Sequence, residues 1–410
     1  MAKILFVSDI HIGIRYSFRV DLRTGISDRT LDFINALTRV VDYAIKKEID
    51  VFVISGDLFD RVTIGPTLLR LVREKIWIKL IERQIPVILV GGNHDSPQMI
   101  EKGSPFGEIT LMPNSIAVRK PQIFKVNAQH SKEEIGFVLL PYMTATQAVA
   151  YVEKVMEEEI ERESHMVRSQ ELYREIVKRY VKRLDTDIKI IIGHFFVESS
   201  KIGIIPYPDQ LPHEFIFKKD MLPLDKVDLA VFGHIHTPQT LCDDKILIPG
   251  SLERVDFGET DEDKGFHIFD TKDKSLVFIS NNPRKLIKNY IEVLEGTENP
   301  TDYILKIIKK ENLEDAIARI TIRIPSFLKE QVILRRIHPY LEENAFHSEI
   351  IWDTSEIKRE IILPKFVLDP LVLFSNFISE KYKDYPYLKE LKEKGLEILD
   401  NALLKVEEDK

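Results

Sequence analysis

Short runs of apolar residues that end abruptly in polar residues recur through the first part of the chain. They cover residues 4–7, 51–54, 87–90, 188–192 and 229–232. Short, continuous apolar runs are typical of strands that are buried on both faces of a sheet. Between the first three runs, residues 31–47 and 68–83 repeat apolar side chains at helical spacing. This alternation of strands and helices predicts an α/β fold.

Aspartate, asparagine or histidine residues follow all five predicted strands. They are Asp9 and His11, then Asp57, then Asn93, His94 and Asp95, then His194, and finally His234 and His236. In α/β folds, ligands bind beyond the carboxyl ends of the strands. One such residue is readily explained as a turn former or an ordinary hydrogen-bonded histidine, but five of the 11 histidines fall in these positions. We therefore predict that these residues form one functional site.

The residue types in this set are those that bind pairs of divalent cations. Two cations about 3.5–4 Å apart can stabilise both the attacking and the leaving oxygen of a phosphoryl displacement. Mixed imidazole and carboxylate ligands suit Mn, Fe and Zn. Gly56, Gly92, Gly193 and Gly233 each precede a predicted ligand, and glycine lets the backbone turn sharply and a metal or substrate approach closely. The set therefore predicts a two-metal phosphoesterase site.

Three changes in pattern divide the rest of the chain. Residues 150–185 are strongly charged and favour helix, so we expect a solvated insertion of one or two helices within a domain spanning residues 1–270. Residues 271–365 predict a small α+β domain, with strands at 275–279, 303–308, 320–324 and 350–352 and one helix at 326–343. Residues 366–410 predict two apolar-faced helices, which would pack on their own chain or on a partner.

Charge and cysteine content exclude several classes of protein. The formal net charge of -8 and the pI near 5.9 argue against a protein that coats nucleic acid non-specifically. They do not exclude a local groove that binds nucleic acid, because the net charge is summed over the whole chain. With Cys242 as its one cysteine, the chain has no internal disulfide and no zinc site of several thiolates. Because neither a signal peptide nor a membrane span is evident, we expect a cytoplasmic protein without a membrane partner.

The ordered motifs resemble those of the calcineurin-like metallophosphoesterase superfamily: DxH, GDxx(D/H), GNH(D/E), GH and GHxH, between residues 9 and 236. The resemblance implies a sandwich of two β-sheets flanked by helices. It implies one ion held by Asp9, His11, Asp57 and His236, and a second held by Asp57, Asn93, His194 and His234. It also implies that His94 stabilises the transition state or protonates the leaving oxygen, and that Asp95 orients His94.

A second resemblance indicates which class of phosphoester the site would hydrolyse. Residues 248–259 are similar to the PGSLER-x-DFGE segment of the meiotic-recombination-eleven, or SbcD-type, DNA repair nucleases. This implies a manganese-dependent exonuclease and endonuclease of double-strand-break repair with two metal ions per chain. It further implies that residues 271–365 are a capping DNA-binding domain, that residues 366–410 bind the coiled coil of an SMC-like ABC ATPase, and that the nuclease is a homodimer.

The loop after His11 carries candidate DNA-binding residues. Arg15, Arg19, Arg23 and Arg29 are interleaved with aromatic residues there, and arginine is a good phosphate ligand. In the nucleases that the chain resembles, the equivalent loop lies along DNA, whereas a charged surface turn explains the same residues without a ligand. Asp60 stands where many of these nucleases have a histidine linked to exonuclease activity, so the balance of exonuclease and endonuclease activity stays open.

Two other functions fit parts of the pattern. The first is a phosphatase or phosphodiesterase acting on small or protein phosphoesters, because the motif at residues 56–61 resembles the GDxxDR of serine/threonine phosphatases. Those enzymes have GNHE where this chain has GNHD, and they lack the GSLER segment. The second is a non-catalytic scaffold that recruits the ATPase.

For the homodimer, the candidate contact is the helix at 68–83. Its apolar face consists of Leu69, Val72, Ile76 and Leu80, and core packing would explain this face equally well.

Overall fold

The computed structural model describes residues 1–14, 20, 22, 24–95, 105–110, 112–156, 165–201, 215–354, 370–382, 385 and 387–408. The chain forms two compact units, Met1–Thr354 and Ser355–Lys410. The larger unit contains two six-stranded sheets and one three-stranded sheet. The smaller unit contains a pair of helices.

The first large sheet has the strand order β12-β11-β1-β2-β3-β4. Its strands are β1 (Lys3–Val7), β2 (Val51–Ile54), β3 (Val87–Val90), β4 (Ile116–Val118), β11 (Gly265–Asp270) and β12 (Ser275–Ser280). The four strands from β1 to β4 are parallel, and β11 joins β1 in the antiparallel sense. The predicted strands at 51–54 and 87–90 are confirmed residue for residue.

The second large sheet has the strand order β5-β6-β7-β8-β10-β9. Its strands are β5 (Gln122–Asn127), β6 (Glu134–Leu140), β7 (Ile188–His194), β8 (Leu229–Gly233), β9 (Gln239–Leu241) and β10 (Ile246–Ile248). The strands β6, β7, β8 and β10 are parallel, while β5 and β9 are antiparallel to their neighbours at the two edges.

The two sheets pack face to face, which confirms the predicted sandwich. Ile4 and Phe6 of β1 lie in an apolar layer with Ile190 of β7, between the sheets. The alternate residues Leu5 and Val7 lie in a different layer, beneath the helices on the outer face. Each strand of this kind is buried on both faces, and that is why its sequence is apolar throughout instead of alternating.

Helices cover the outer face of the first sheet: α1 (Asp28–Lys46), α2 (Pro66–Val72), α3 (Ile78–Glu82) and α4 (Pro105–Thr110). A π-helical stretch, Arg73–Trp77, joins α2 to α3. Along this continuous helix Val72, Ile76 and Leu80 are fully buried in the core of their own chain. Core packing therefore accounts for three of the four residues of the face proposed for a dimer contact, while Leu69 is partly exposed.

The described parts of residues 150–185, namely 150–156 and 165–185, pack on the second sheet and are not a solvated insertion. They contribute to α5 (Ala145–Met156) and α6 (His165–Arg183), which form the crossover between the parallel strands β6 and β7. Tyr173, Ile176 and Val177 of α6 are buried against the outer face of the second sheet. Of the charged residues that suggested an insertion, Lys178 and Arg179 are exposed, and residues 157–163 lie outside the described residues.

The three-stranded sheet is parallel, in the order β13-β14-β15. It consists of β13 (Leu286–Glu292), β14 (Ile317–Arg323) and β15 (His347–Asp353), and it packs with α7 (Pro300–Ile308), α8 (Ser326–Lys329) and α9 (Leu334–Asn344). These strands and helices, in the region predicted as a small α+β domain, share an apolar core of their own.

Three details of that domain differ from the prediction. Residues 303–308 lie in helix α7, not in a strand, because the Asn299 side chain caps a helix that begins at Pro300. The strand β12, placed in this domain by the sequence, pairs along its length with β11. The boundary expected after residue 270 therefore falls in a hairpin of the first sheet. The helix predicted at 326–343 is interrupted between α8 and α9.

The smaller unit contains α10 (Pro370–Lys381) and α11 (Leu388–Glu408). A Cβ added at Gly395 of α11 would lie 2.4 Å from the ring of Phe374 in α10, so the two helices pack closely there. Ile378 is buried, whereas Val372, Leu373 and Phe377 are exposed. Among the described helices of the whole chain, none is long and apolar enough to cross a membrane.

Candidate metal centre

The predicted ligands of both sheets meet at one edge of the sandwich. Asp9 and Asp57 follow β1 and β2 of the first sheet, while His194 ends β7 and His234 follows β8 of the second. The Nδ1 atom of His194 lies 2.8 Å from the backbone oxygen of Ser55, which joins the two sheets directly at this point. The carboxyl ends of parallel strands meet at one edge, so the fold brings together residues that are far apart in sequence.

One group of ligand atoms comes from Asp9, His11 and His236, all within 4.8 Å of one another. The Nε2 atoms of His11 and His236 face each other at 3.2 Å. Two carboxylate oxygens lie close to these Nε2 atoms: Asp9 Oδ1, at 4.0 Å from His236 Nε2, and Asp57 Oδ2, at 3.9 Å from His11 Nε2. These are the residues predicted for the first ion.

A second group converges on the side-chain oxygen of Asn93. This Oδ1 atom lies 3.0 Å from His194 Nε2 and 3.1 Å from His234 Nδ1. Asp57 Oδ2 lies 3.3 Å from His194 Nε2. Since the same oxygen also faces His11 in the first group, Asp57 has the position of a bridging ligand. Carboxylate, amide and imidazole donors converging in two adjoining groups fit a pair of divalent ions.

The backbone is strained where it presents these ligands. Asp9, His11 and Asp57 each have φ near 49°, and His234 has φ of 95°. Left-handed conformations at non-glycine residues cost about 1–3 kcal/mol each and cluster at functional sites. Backbone hydrogen bonds hold the first two loops together, from Asp9 N to Gly56 O at 3.2 Å and from His11 N to Asp57 O at 2.9 Å.

The glycines before the ligands are required by close approach. A Cβ at Gly56 would lie 1.9 Å from His194 Nδ1, and one at Gly92 would lie 2.0 Å from Asp57 Oδ1. A Cβ at Gly233 would lie 2.1 Å from Ser8 Oγ. Any larger residue would therefore displace the side chain that it faces.

The electrostatics keep the bridging carboxylate ionised. Burial would raise the pKa of the Asp57 carboxyl, but the neighbouring His194 and His11 hold that pKa well below its usual value. Burial likewise opposes the charge on His194, yet Asp57 raises the pKa of His194 to about 9. Burial, together with His194, lowers the pKa of His234 to about 4. Because imidazole binds metals in its neutral form, ions and protons compete for His194.

Residues 2–238 match the calcineurin-like phosphoesterase family. The chain belongs to this family. It is also 24% identical over 342 residues to the SbcD subunit of nuclease SbcCD from Staphylococcus epidermidis, and the alignment covers 83% of this chain and 85% of that protein. Both findings support the resemblance to SbcD-type nucleases. A dimetal phosphatase from Danio rerio aligns with a TM-score of 0.41 and 8% identity, covering 69% of this chain and 97% of its own.

In this phosphoesterase site His94 stands at the open side of the first group. Its side chain is 42% exposed, whereas that of His11 beside it is 3% exposed. The two rings meet edge to face with centroids 4.8 Å apart. The backbone N–H of His94 donates to Asp57 Oδ1 at 2.9 Å, which fixes the loop that carries it. The His94 imidazole thus lies beside the predicted ligand His11 and is open to solvent.

Asp95 does not contact the His94 ring, contrary to the predicted orienting role. It is buried, and its two carboxylate oxygens accept hydrogen bonds from Gly92 N at 3.0 Å and Phe59 N at 3.1 Å. Burial, reinforced by Asp57, raises the pKa of Asp95 to about 7. The carboxylate therefore ties together the loops that carry Asp57 and Asn93.

Asp60 takes the place expected for Asp95. Its Oδ1 atom lies 3.8 Å from His94 Nδ1 and 3.7 Å from His11 Nδ1, and its backbone oxygen lies 3.2 Å from His94 Nδ1. The sequence marked Asp60 only as a departure from the histidine of related nucleases. Its position three residues after the bridging Asp57 is the signal that would have placed it beside the site.

Two further residues at the site were not predicted. Glu259 accepts a hydrogen bond from His236 Nδ1 at 2.7 Å. Burial would raise the pKa of Glu259, but His236 and then Lys264 lower it to about 2, so the carboxylate is ionised. The ring of Tyr142 lies 5.9 Å from that of His234. Glu259 lies in the segment that indicated the nuclease family, but nothing in its spacing from His236 indicated contact.

The predicted DNA-binding arginines divide into two cases. Arg15, Arg19 and Arg23 lie outside the residues that the structure describes. Arg29, expected on the same loop, lies in the first turn of α1 with 1% of its surface exposed. It forms ion pairs with Glu253 at 2.9 Å and Asp32 at 3.1 Å. Arg29 is thus buried and paired with carboxylates of its own chain.

Proposed function

We propose that this protein is a DNA nuclease of the SbcD type, which hydrolyses DNA phosphodiesters with two divalent ions and acts in double-strand-break repair. The observation that carries the proposal is the pair of ligand groups sharing Asp57, in a chain similar over most of its length to the SbcD subunit of nuclease SbcCD. Manganese is the ion that we expect, because the resemblance to SbcD-type nucleases implies it and mixed imidazole and carboxylate ligands are compatible with it.

The ligand set assigns a role to each group. Bound ions would activate the attacking water and offset the charge that develops on the phosphate. The ionised Asp57 would hold both ions together, with Asp9, His11 and His236 on one side and Asn93, His194 and His234 on the other. His94, exposed beside the first group, would donate a hydrogen bond to the phosphate or a proton to the leaving oxygen.

A cavity of about 590 Å³ is lined by residues that precede residue 15 and by residues that follow residue 23. Its lining includes Gly13, Thr24, Ser27, Arg61 and Thr63. Arg61 supplies a positive charge and the hydroxyl groups supply hydrogen bonds, which together suit a phosphodiester backbone. We propose that DNA approaches the metal centre along this side, where Arg15, Arg19 and Arg23 would add phosphate contacts.

The proposed protein partners rest on less specific features. The exposed Val372, Leu373 and Phe377 of α10 would contact the coiled coil of an SMC-like ABC ATPase. For a homodimer, Ile78 and Ile81 of α3 are exposed, in contrast to the buried residues on the opposite face of that helix. These two residues, not Val72, Ile76 and Leu80, are therefore the ones to test for a dimer contact.

The decisive experiment compares wild type with His94→Ala on single-stranded and double-stranded DNA in the presence of Mn²⁺. We expect metal-dependent cleavage by wild type and a loss of roughly 10²–10⁴-fold in the variant, the usual contribution of a general acid. Manganese binding, measured by calorimetry, should persist in the variant because His94 is not a predicted ligand.

The same assay separates the proposal from its alternatives. Turnover of a phosphomonoester or a cyclic nucleotide well above any DNA cleavage would favour a phosphatase or phosphodiesterase. A protein that binds Mn²⁺ but cleaves no phosphoester, with or without an ABC ATPase partner, would favour a scaffold. Chelation with EDTA should abolish cleavage by wild type, and readdition of Mn²⁺ should restore it.

A further inference from the structure

A group of buried charges lies directly behind the metal ligand His236. Glu259 Oε1 lies 2.7 Å from His236 Nδ1, on the side of the ring opposite to the ligand group. The other ring nitrogen, Nε2, faces His11 Nε2 at 3.2 Å. The imidazole is therefore held between a carboxylate and the first ion site.

Glu259 is itself held at several points. Its second oxygen, Oε2, lies 3.0 Å from Lys264 Nζ and accepts a hydrogen bond from Val255 N at 2.9 Å. Ser251 Oγ adds a longer contact of 3.4 Å to the same oxygen. Lys264 is completely buried, and its ammonium also donates to the backbone oxygen of His236 at 2.9 Å. A shift of the carboxylate would break its contacts with His236, Lys264 and Val255 N.

This arrangement determines which nitrogen of His236 can bind a metal. A carboxylate is an acceptor only, so His236 Nδ1 carries the hydrogen and Nε2 carries the lone pair. A carboxylate behind a ligating imidazole also makes it a stronger donor to the metal. His194 has a neutral backbone oxygen, that of Ser55, in the corresponding place. The ionised partner therefore distinguishes the first ion site from the second.

We propose that Glu259 is a positioning residue that orients His236 and sets the affinity of the ion site formed by Asp9, His11, Asp57 and His236. Lys264 and Val255 N hold the carboxylate in place for this role. The proposal rests on the proposed two-metal function, since it concerns one of the two ion sites. The competing explanation is that Glu259 and Lys264 form a buried ion pair that only stabilises the loop.

The test is Mn²⁺ titration of the full chain by calorimetry, together with electron paramagnetic resonance. Wild type is expected to bind two ions and to show the signal of a spin-coupled pair. Glu259→Gln keeps the size of the side chain but removes its charge. We expect the affinity of one site to fall roughly 10- to 100-fold, the usual effect of losing such a partner. The other site should be unchanged, and the coupled signal should give way to that of a single ion.

Glu262→Gln is the matched control. Glu262 also contacts Lys264 Nζ, at 2.6 Å, and accepts a hydrogen bond from the Thr237 hydroxyl at 2.7 Å, but neither of these contacts involves the side chain of a metal ligand. The same chemical change there should leave both Mn²⁺ affinities as in wild type. Equal losses in Glu262→Gln and Glu259→Gln would overturn the proposal and favour the purely structural explanation.

The remaining outcomes are also decisive. Two-site binding in Glu259→Gln indistinguishable from wild type refutes the positioning role, while the proposed function stands. If wild type itself binds no pair of ions, the proposed function fails first. Should Glu259→Gln not fold, Glu259→Asp retains the charge opposite Lys264 but shortens the reach to His236. An unchanged first site in that variant would then overturn the inference, and a smaller loss at that site alone would support it.

Discussion

Individual residues at the metal centre are held by contacts that leave little room for substitution. Gly56 combines a φ of 106° with a position where a Cβ would lie 1.9 Å from His194 Nδ1. The left-handed backbone and the close approach both exclude other residues. The same loop presents Asp57, so a shift at Gly56 would move ligands of both ions.

We predict that Gly56→Ala weakens Mn²⁺ binding at the site containing His194 and destabilises the fold. The backbone strain alone costs about 1–3 kcal/mol, and displacement of His194 adds to it. Denaturant unfolding and Mn²⁺ titration provide the two measurements. Gly65→Ala is the control, because nothing lies within 4 Å of its added Cβ. Equal behaviour of the two variants would show that the close approach is unimportant.

A second residue, outside the predicted ligand set, contributes to the way stability responds to pH. His267 of β11 is buried beside the ring of Phe278, and burial lowers its pKa from 6.5 to about 4. Between these values the unfolded chain binds a proton that the folded chain excludes. Stability from this residue is therefore complete above pH 6.5 and decreases as pH falls towards 4.

We predict that His267→Phe removes this part of the pH dependence. At 1.36 kcal/mol per pKa unit, the wild-type chain should lose about 3 kcal/mol through His267 between pH 6.5 and pH 4. The measurement is the free energy of unfolding of both chains across that range. Parallel curves for wild type and variant would show that His267 is protonated in the folded state without cost.

At the scale of the element, the charged residues of α6 favoured a solvated helix, whereas its apolar residues favoured a helix packed on the sheet. Its exposed side is rich in Lys, Arg and Glu, which led to the expectation of a solvated insertion. Its inner side places Leu172, Tyr173, Ile176 and Val177 in the core of the second sheet. A crossover helix between parallel strands must pack on the sheet that it connects, and the inner side alone decides whether it does.

We predict that Ile176→Ala destabilises the protein by about 2–5 kcal/mol, as expected for a buried isoleucine truncated to alanine. Arg179→Ala, an exposed position of the same helix, should change stability by no more than about 0.5 kcal/mol. Chemical denaturation of both variants tests the difference. Similar small effects at the two positions would restore the interpretation as a solvated insertion.

The helix α7 formed where the sequence predicted a strand. Residues 303–308 are apolar and were expected to form a strand, but Asn299 and Pro300 provide a strong helix start just before them. Parallel pairing of β13 with β14 also requires a crossover between them, and α7 supplies it. The apolar run at residues 303–308 is compatible with a strand or a helix. The Asn299 cap and the crossover between parallel strands are compatible only with a helix.

At the scale of the larger unit, Arg284 joins the three-stranded domain to the first sheet. Its guanidinium forms an ion pair with Asp32 of α1 at 2.7 Å, contacts Asp315, and lies 3.6 Å from the centre of the Phe346 ring. Arg319 of β14 stacks in the same way on Phe257, at 4.0 Å. These contacts hold the domain against the segment that contains Glu259.

We predict that Arg284→Ala loosens this junction while both domains stay folded. Removal of the half-buried guanidinium breaks its ion pair with Asp32, which keeps its ion pair with Arg29 at 3.1 Å. We therefore expect a loss of stability smaller than the roughly 3–5 kcal/mol of a buried charge left without any partner. Limited proteolysis should cut between β12 and β13 faster than in wild type, and calorimetry should show a less cooperative transition. Cleavage at the wild-type rate and a single unfolding transition would show that Arg284 does not hold the junction together.

The sequence by itself determined the buried strands, the seven candidate ligands and the phosphoesterase family. These follow from local information: apolar runs mark strands buried on both faces, and the glycines before the ligands mark close approach. Tertiary structure decided which residues act on one another. Asp60, not Asp95, lies beside His94, Glu259 supports His236, and Arg29 is buried, because each of these contacts joins different loops or elements. Such contacts depend on how the two sheets meet, which spacing along one strand or helix does not encode.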